Sequence, residues 1–471
     1  MTRLSARAPA PLGYAPEDHG VGIVHLGLGN FARAHILAYT DEALAAAGGD
    51  WRVTGVSLRG TAVADTLAPQ DGRYTLLTRG AETTGRVIGA LADVIAGPDA
   101  GARALAAMAA PGCRIVSITV TEKGYGITSD GALNRDHPAV AADLAHPDAP
   151  RGVIGLIVAA LRQRRAEGSG PFTVLSCDNL SHNGAKLRAA VLDFAAPDAD
   201  LAGWIAERVT FPSTMVDRIT PASTPDTIAA ARDLTGFDDA AAVETEPFRQ
   251  WVIEDDFCAG RPAWDRTDVL FVPDVAPYEQ MKLRMLNGAH SMMAYSGQLS
   301  GKTFTRDVMA DPAHAALVRR HLAAAAATVR GLDIDLDAYA AALMDRFANP
   351  AIAHATAQIA MDGTQKMPPR ITAPALEALA EGRGLRPFTF ALAAWLAYVM
   401  RAAQVDDPMA ARMAELRRRA TTAAEVIAGM AALCPDILPP ALTTGPAGRD
   451  LCDILDLILR DGMAAAMARE A

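Results

Sequence analysis

Residues 22–32 read GIVHLGLGNFA, and a helix-forming stretch follows from Arg33. Gly22 to Leu26 form a short apolar run of strand type. The G-x-G-x-x-A at its carboxyl end is the dinucleotide fingerprint in its expected setting of strand, turn and helix. Gly27 makes the turn, Gly29 lets the backbone approach a pyrophosphate, and Ala32 lets the helix pack closely on the strand. Asn30 and Phe31 stand where the helix opens, and its first amides and dipole favour phosphate. A plain tight turn accounts for the glycines alone, but not for the strand before them and the helix after.

Three more apolar runs have the character of buried parallel strands: 52–58 (RVTGVSL), 114–121 (RIVSITVT) and 172–177 (FTVLSC). An acidic residue normally follows the second strand of such a fold to bind the ribose hydroxyls of NAD. Here Arg59-Gly60-Thr61-Ala62 follow, and Asp65 is the first carboxylate. Arg59 is therefore a candidate for a 2′-phosphate, which leaves NADP open beside NAD, although an arginine at a strand end is also simply solvated. Ligands bind beyond the carboxyl ends of parallel strands, which makes Lys123, Tyr125 and Asn179 pocket candidates. An Asx turn capping the next helix explains Asn183 better than Asn179.

Beyond about residue 283 the β-branched runs give way to alanine-rich helical segments at 321–330, 391–405, 421–434 and 451–469. The expected organisation is an α/β Rossmann-type domain over 1–282 and a mostly α-helical substrate domain over 283–471. A polar, proline-stopped stretch at 362–370 is expected as a loop. At the junction lies 278–296, YEQMKLRMLNGAHSMMAYS, with helical length and apolar Met281, Leu283, Met285 and Leu286. At about 100° per residue, Glu279, Lys282, Asn287 and His290 span an arc of roughly 140°. Taking hydride from a secondary alcohol requires a base for the hydroxyl proton and fixed donors for the charge growing on oxygen. A lysine serves as that base only if an apolar wall brings its pKa down from about 10.4. Asn287 is a neutral oxyanion donor, and His290 a group to orient the hydroxyl. The plainer alternative is an amphipathic helix with its polar side in water.

The chain has 471 residues, 51% of them hydrophobic and 21% charged, with a net charge of −10. That is ordinary globular composition with a soft prior of about two to four domains. The acidic balance argues against nucleic acid and points to small-molecule partners. Five dispersed cysteines without a C-x-x-C pair are expected as buried reduced thiols, and no metal site is read from the scattered histidines. Without a signal-like or membrane-length apolar run, a cytoplasmic location is expected. The expected state is a monomer or small homo-oligomer.

Six blocks in order, HLGLGNFARAH, TVTEKGY, SCDNLSHNG, FPSTMVDRITP, EPFRQWVIED and YEQMKLRMLNGAHS, resemble the polyol-specific long-chain dehydrogenases and reductases of the mannitol dehydrogenase family. The six blocks run from His25 to Ser291, and the resemblance reaches Lys366. The resemblance implies an NAD(P)-binding domain, a helical C-terminal domain and metal-independent hydride transfer. It assigns Lys282 as general base, Asn287 and Asn179 as the groups polarising the reacting oxygen, His290 as substrate-positioning, and Glu279 as an aid to proton movement. It also places Asp217 and Lys366 on blocks that line the substrate pocket, beside the strand-end candidate Lys123. The chain departs from the usual family pattern at Ala32, where a histidine is usual, and at 60–62, where mannitol-oxidising members carry acids. It departs again at Lys123, where they have glycine, and at Gln358, where they carry arginine. An extra cation suits a substrate carboxylate. The expected reaction is reduction of an open-chain sugar acid, D-fructuronate to D-mannonate with NADH. The runner-up is mannitol 2-dehydrogenase, and a non-catalytic nucleotide-binding sensor is the alternative from another class.

Overall fold

The computed structural model describes residues 2–7, 12–121, 124–128 and 131–470. Two compact units divide the chain at Ala276/Pro277, ahead of the boundary expected after 282, so Glu279 and Lys282 fall in the second unit with Asn287 and His290.

The first unit contains eleven strands among its described residues: β1 (Val21–Leu26), β2 (Arg52–Val56), β3 (Tyr74–Arg79), β4 (Thr83–Ile88), β5 (Leu91–Ile95), β6 (Ile115–Ile118), β7 (Thr173–Ser176), β8 (Thr214–Asp217), β9 (Val243–Thr245), β10 (Gln250–Glu254) and β11 (Leu270–Val272). Five form a parallel sheet in the order β5-β2-β1-β6-β7. Successive side chains of a strand point to opposite faces. Val24, Leu26, Val116, Ile118 and Val174 accordingly enter one hydrophobic cluster, and Ile23, Val53, Ile115 and Leu175 another. Both faces are buried, which explains why these strands read as unbroken apolar runs rather than alternating ones. The helix Val153–Glu167 packs on the first of these faces. Two three-stranded sheets, β11-β10-β8 and β4-β3-β9, complete the unit.

The second unit is helical in all its named elements. The helix expected at 321–330 spans Pro312–Ala326, and the one expected at 451–469 breaks into Gly445–Asp461 and Met463–Glu470 at Gly462, whose φ is +89°. Residues 362–370, expected as a loop, are instead helical: Gly363–Met367 continues through a π-helical turn at Pro368–Thr372 into Ala373–Ala380. Pro368 and Pro369 open the π-helical turn, whose wider spacing departs from the α-helical geometry that a proline ring disrupts. Among the described residues no helix is long and apolar enough to cross a membrane. All five cysteines are unbridged, with Cys113, Cys177 and Cys434 buried but Cys258 and Cys452 only half-buried.

Candidate functional site

In the first unit the sheet order reverses at β1, between β2 and β6, and this is where a crevice opens at the strands' carboxyl ends. A cavity of about 560 Å³ lies there, lined by Gly27, Leu28, Gly29, Ser57, Arg59 and Thr119 among others. Gly27 has φ +99°, and a Cβ on it would collide with the carbonyl of Thr119. Over Gly29 a Cβ would meet nothing nearer than the Gly27 carbonyl at 3.9 Å, so the backbone there is open to a ligand. Ala32 is fully buried, as close packing of helix on strand demands. The crevice is braced from below by His25, whose ring joins Ser117 Oγ (2.8 Å) on β6 to Thr119 Oγ1 (2.8 Å) just beyond it. Burial lowers the His25 pKa from 6.5 to about 4, so the ring acts as a neutral cross-strand link. Asn30 is committed within the unit, since its amide donates to Pro221 O and Ser223 Oγ and it accepts from Arg33. Phe31 stacks on His35 at 4.9 Å. Arg59 lines the cavity and is exposed.

Beyond β7, the Asp178 carboxylate accepts from Val120 N (2.9 Å), Thr121 N (3.1 Å) and Tyr125 Oη (2.7 Å). Three donors on one carboxylate fix the loop that presents Asn179, which is exposed. Tyr125 is thus a buried buttress rather than a pocket group, its hydroxyl also bonded to Ser176 Oγ at 2.7 Å. Asn183 is a clamp and not the expected cap: the helix Asn183–Ala195 has His182 at its N-cap position and no side-chain cap, while the Asn183 amide nitrogen donates to Thr214 O and its oxygen accepts from Thr214 N, both at 2.9 Å. Asp217 ends β8 and is 5% exposed. Lys123 lies outside the described residues.

In the second unit, 278–296 is a continuous helical run, but not a uniform one. Ala276–Met281 is α-helical, Lys282–Asn287 is a π-helix, and Gly288–Leu299 returns to α. The amide of Gly288 bonds back to Leu283 O, five residues earlier. At roughly 4.4 residues per turn, the five steps from Lys282 to Asn287 place them about 50° apart instead of 140°. With three α-helical steps on either side, Glu279, Lys282, Asn287 and His290 gather within roughly 70° of arc. The wide turn, not the helix alone, brings amine, amide, imidazole and carboxylate together. It is held by Arg284, whose buried guanidinium donates to both oxygens of Glu377 (2.6 and 2.5 Å) and to Thr328 O (2.6 Å).

All four side chains are nearly buried: Lys282 and Glu279 are 8% exposed, and Asn287 and His290 6%. Burial lowers the His290 pKa well below 6.5, and His354, Arg346, Arg370 and Lys282 add to the shift. The ring is neutral at pH 7 and offers one donor and one acceptor. Asn287 Nδ2 and His290 Nε2 are buried atoms without a partner among the described residues, which is the state of donors held ready for a ligand. His354 packs edge-on against His290 with centroids 5.0 Å apart, and Phe347 lies on the same ring at 4.8 Å. Lys366 is half-buried, with Nζ donating to Ile359 O at 3.3 Å. His354, Arg346 and Arg370 are the neighbours that sequence reasoning passed over. They come from helices and connections 64 or more residues along the chain from Lys282, and no local pattern marks them. Among the described residues no group of three His, Cys, Asp or Glu is placed to hold a metal ion.

Residues 21–266 match the family model described as the mannitol dehydrogenase Rossmann domain, and residues 274–434 the one described as the mannitol dehydrogenase C-terminal domain. The chain belongs to the mannitol dehydrogenase family. It is an oxidoreductase of that family, with the Rossmann-type and helical domains that the sequence led one to expect. A D-mannonate oxidoreductase of Escherichia coli (strain K12) is 43% identical over 436 residues, 88% of this chain and 89% of that protein. A mannitol 2-dehydrogenase of Pyrenophora tritici-repentis (strain Pt-1C-BFP) is 41% identical over 416 residues, 83% of this chain and 73% of that protein. Among solved structures, the Pseudomonas fluorescens mannitol 2-dehydrogenase in ternary complex with NAD and D-mannitol superposes with a TM-score of 0.86 at 36% identity, covering 100% of this chain and 99% of that one.

Proposed function

We propose that the protein is an NAD-dependent ketone reductase acting on an open-chain sugar acid, with D-fructuronate reduced to D-mannonate as NADH is oxidised. The observation that carries this is the π-helical turn, which assembles Lys282, Asn287 and His290 on one narrow face, nearly buried and with two unpartnered polar atoms. The first unit's crevice fits the dinucleotide, since Gly27 and Gly29 leave backbone bare where a pyrophosphate would lie and the cavity is large enough for a nucleotide half. The bound dinucleotide supplies the hydride.

The chain's own groups do the rest. Lys282, as ammonium, gives its proton to the oxygen that gains charge, and takes one back in the oxidative direction. Asn287 donates an amide hydrogen bond to that oxygen, a role that needs no metal ion, and the family resemblance carries the same role over to Asn179. Neutral His290 holds a substrate hydroxyl, and Glu279 passes the proton between Lys282 and solvent. Asp217, Lys366 and Lys123 are carried over as substrate contacts. The oxidation of D-mannitol to D-fructose uses the same groups and is favoured by the mannitol-bound structural relative. NADH oxidation measured with D-fructuronate and with D-fructose separates the two. A higher kcat/KM for fructuronate is expected, and equal or better turnover of fructose overturns the choice of acid.

A further inference from the structure

Resting on the sugar-acid function above, we propose that His354 and Arg370 hold the substrate's carboxylate and thereby set the substrate class. Arg370 stands on the π-helical turn Pro368–Thr372, which packs against the π-helical turn of 282–287. Its Nη1 donates to Asn287 O at 3.4 Å and to Ser291 Oγ at 3.2 Å, two residues that flank His290 on the helix. The guanidinium is therefore anchored alongside the same imidazole that His354 packs against at 5.0 Å. His354 Nδ1 is buried without a partner among the described residues.

The strongest charged neighbours of the two rings are cationic. After burial, the groups that act most strongly on His290 are His354, Arg346, Arg370 and Lys282, and those that act on His354 are Arg346 and Lys366. Both rings are driven to the neutral form, that of His354 to about 4 from 6.5. A positive potential of this kind favours an anion. The uncharged end of a polyol gains nothing from it, whereas a carboxylate gains charge-assisted hydrogen bonds from the Arg370 fork and the His354 ring.

The test compares kcat/KM for D-fructuronate and D-fructose, with NADH, in the parent, Arg370→Met and His354→Asn. One charge-assisted hydrogen bond is worth about 10- to 100-fold. Each variant should shift the fructuronate-to-fructose ratio toward fructose by that factor, with inhibition by D-mannonate weakening in parallel. A merely structural role would lower both substrates together and leave the ratio unchanged, which overturns the inference. A parent that does not reduce fructuronate refutes the functional proposal instead. Should Arg370→Met fail to fold, Arg370→Lys and His354→Asn decide the matter by the same ratio.

Discussion

Gly288→Ala probes whether the π-helical turn is held to the tolerance that catalysis needs. Gly288 has φ −63° and ψ −49°, so alanine suits its backbone and should gain about 0.8–1.0 kcal/mol of helix propensity. The added Cβ, however, would sit 2.9 Å from His321 Nε2 and 3.0 Å from Arg370 O. Carbon prefers about 3.5–4.0 Å, so the helix and its neighbours must part by roughly half an ångström or more. Overpacking of this size costs about 1–3 kcal/mol, leaving a net change between about zero and a 2 kcal/mol loss. Activity should suffer more than stability, because the displaced backbone lies between Asn287 and His290. A misplacement of about 1 Å costs on the order of 10²-fold, so kcat should fall about 10- to 100-fold. NADH oxidation followed by absorbance, with urea unfolding alongside, measures both quantities. Adding His321→Ala removes the nearer of the two clashes and should restore part of kcat. Parental kcat in Gly288→Ala would refute the claim that this turn fixes the catalytic geometry.

Two further outcomes follow from other parts of the chain. Gly27→Ala combines an unfavourable φ of +99° with a collision against the Thr119 carbonyl, so NADH fluorescence titration should show affinity reduced by at least about tenfold. His25, His321 and His354 have pKa values lowered by burial from 6.5 to about 4, so they stay neutral when folded and take up protons when unfolded. Stability should therefore fall as pH drops from about 6.5 toward 4, by roughly 1–2 kcal/mol per histidine at pH 5, and urea midpoints at pH 7 and 5 measure it. Carboxylates titrate in the same window, so the check is His321→Leu, whose midpoint should change less between the two pH values than the parent's.

The nucleotide half was legible because its signal is local: strand, glycine turn and helix are contiguous from Val21 to Ala47, and doubly buried strands advertise themselves as unbroken apolar runs. Lys282, Asn287 and His290 were picked out by residue type, but the narrow arc they share was not legible. A π-helical turn has no sequence period of its own, and the spacing taken at 100° per residue spread the groups over twice the arc they occupy. Proline 368 and 369 were misread as a stop for the same reason, since the wide turn that admits them is set by tertiary packing. His25, His354 and Arg370 carried no local signal, because their partners lie far along the chain, Ser117 for the first and residues 287 and 291 for the last. Asp178 stood in a quoted block, yet its bonds to Val120 N, Thr121 N and Tyr125 Oη became visible only once β6 and β7 were side by side.

The central claim is that the amine of Lys282 carries the proton. Steady-state reduction of D-fructuronate by Lys282→Ala, with NADH affinity measured by fluorescence in the same preparation, tests it most directly. The account predicts kcat lower by on the order of 10² to 10⁴ with NADH binding retained, and partial recovery when a small primary amine such as methylamine is added. A folded Lys282→Ala that binds NADH and turns over near the parental rate would contradict it.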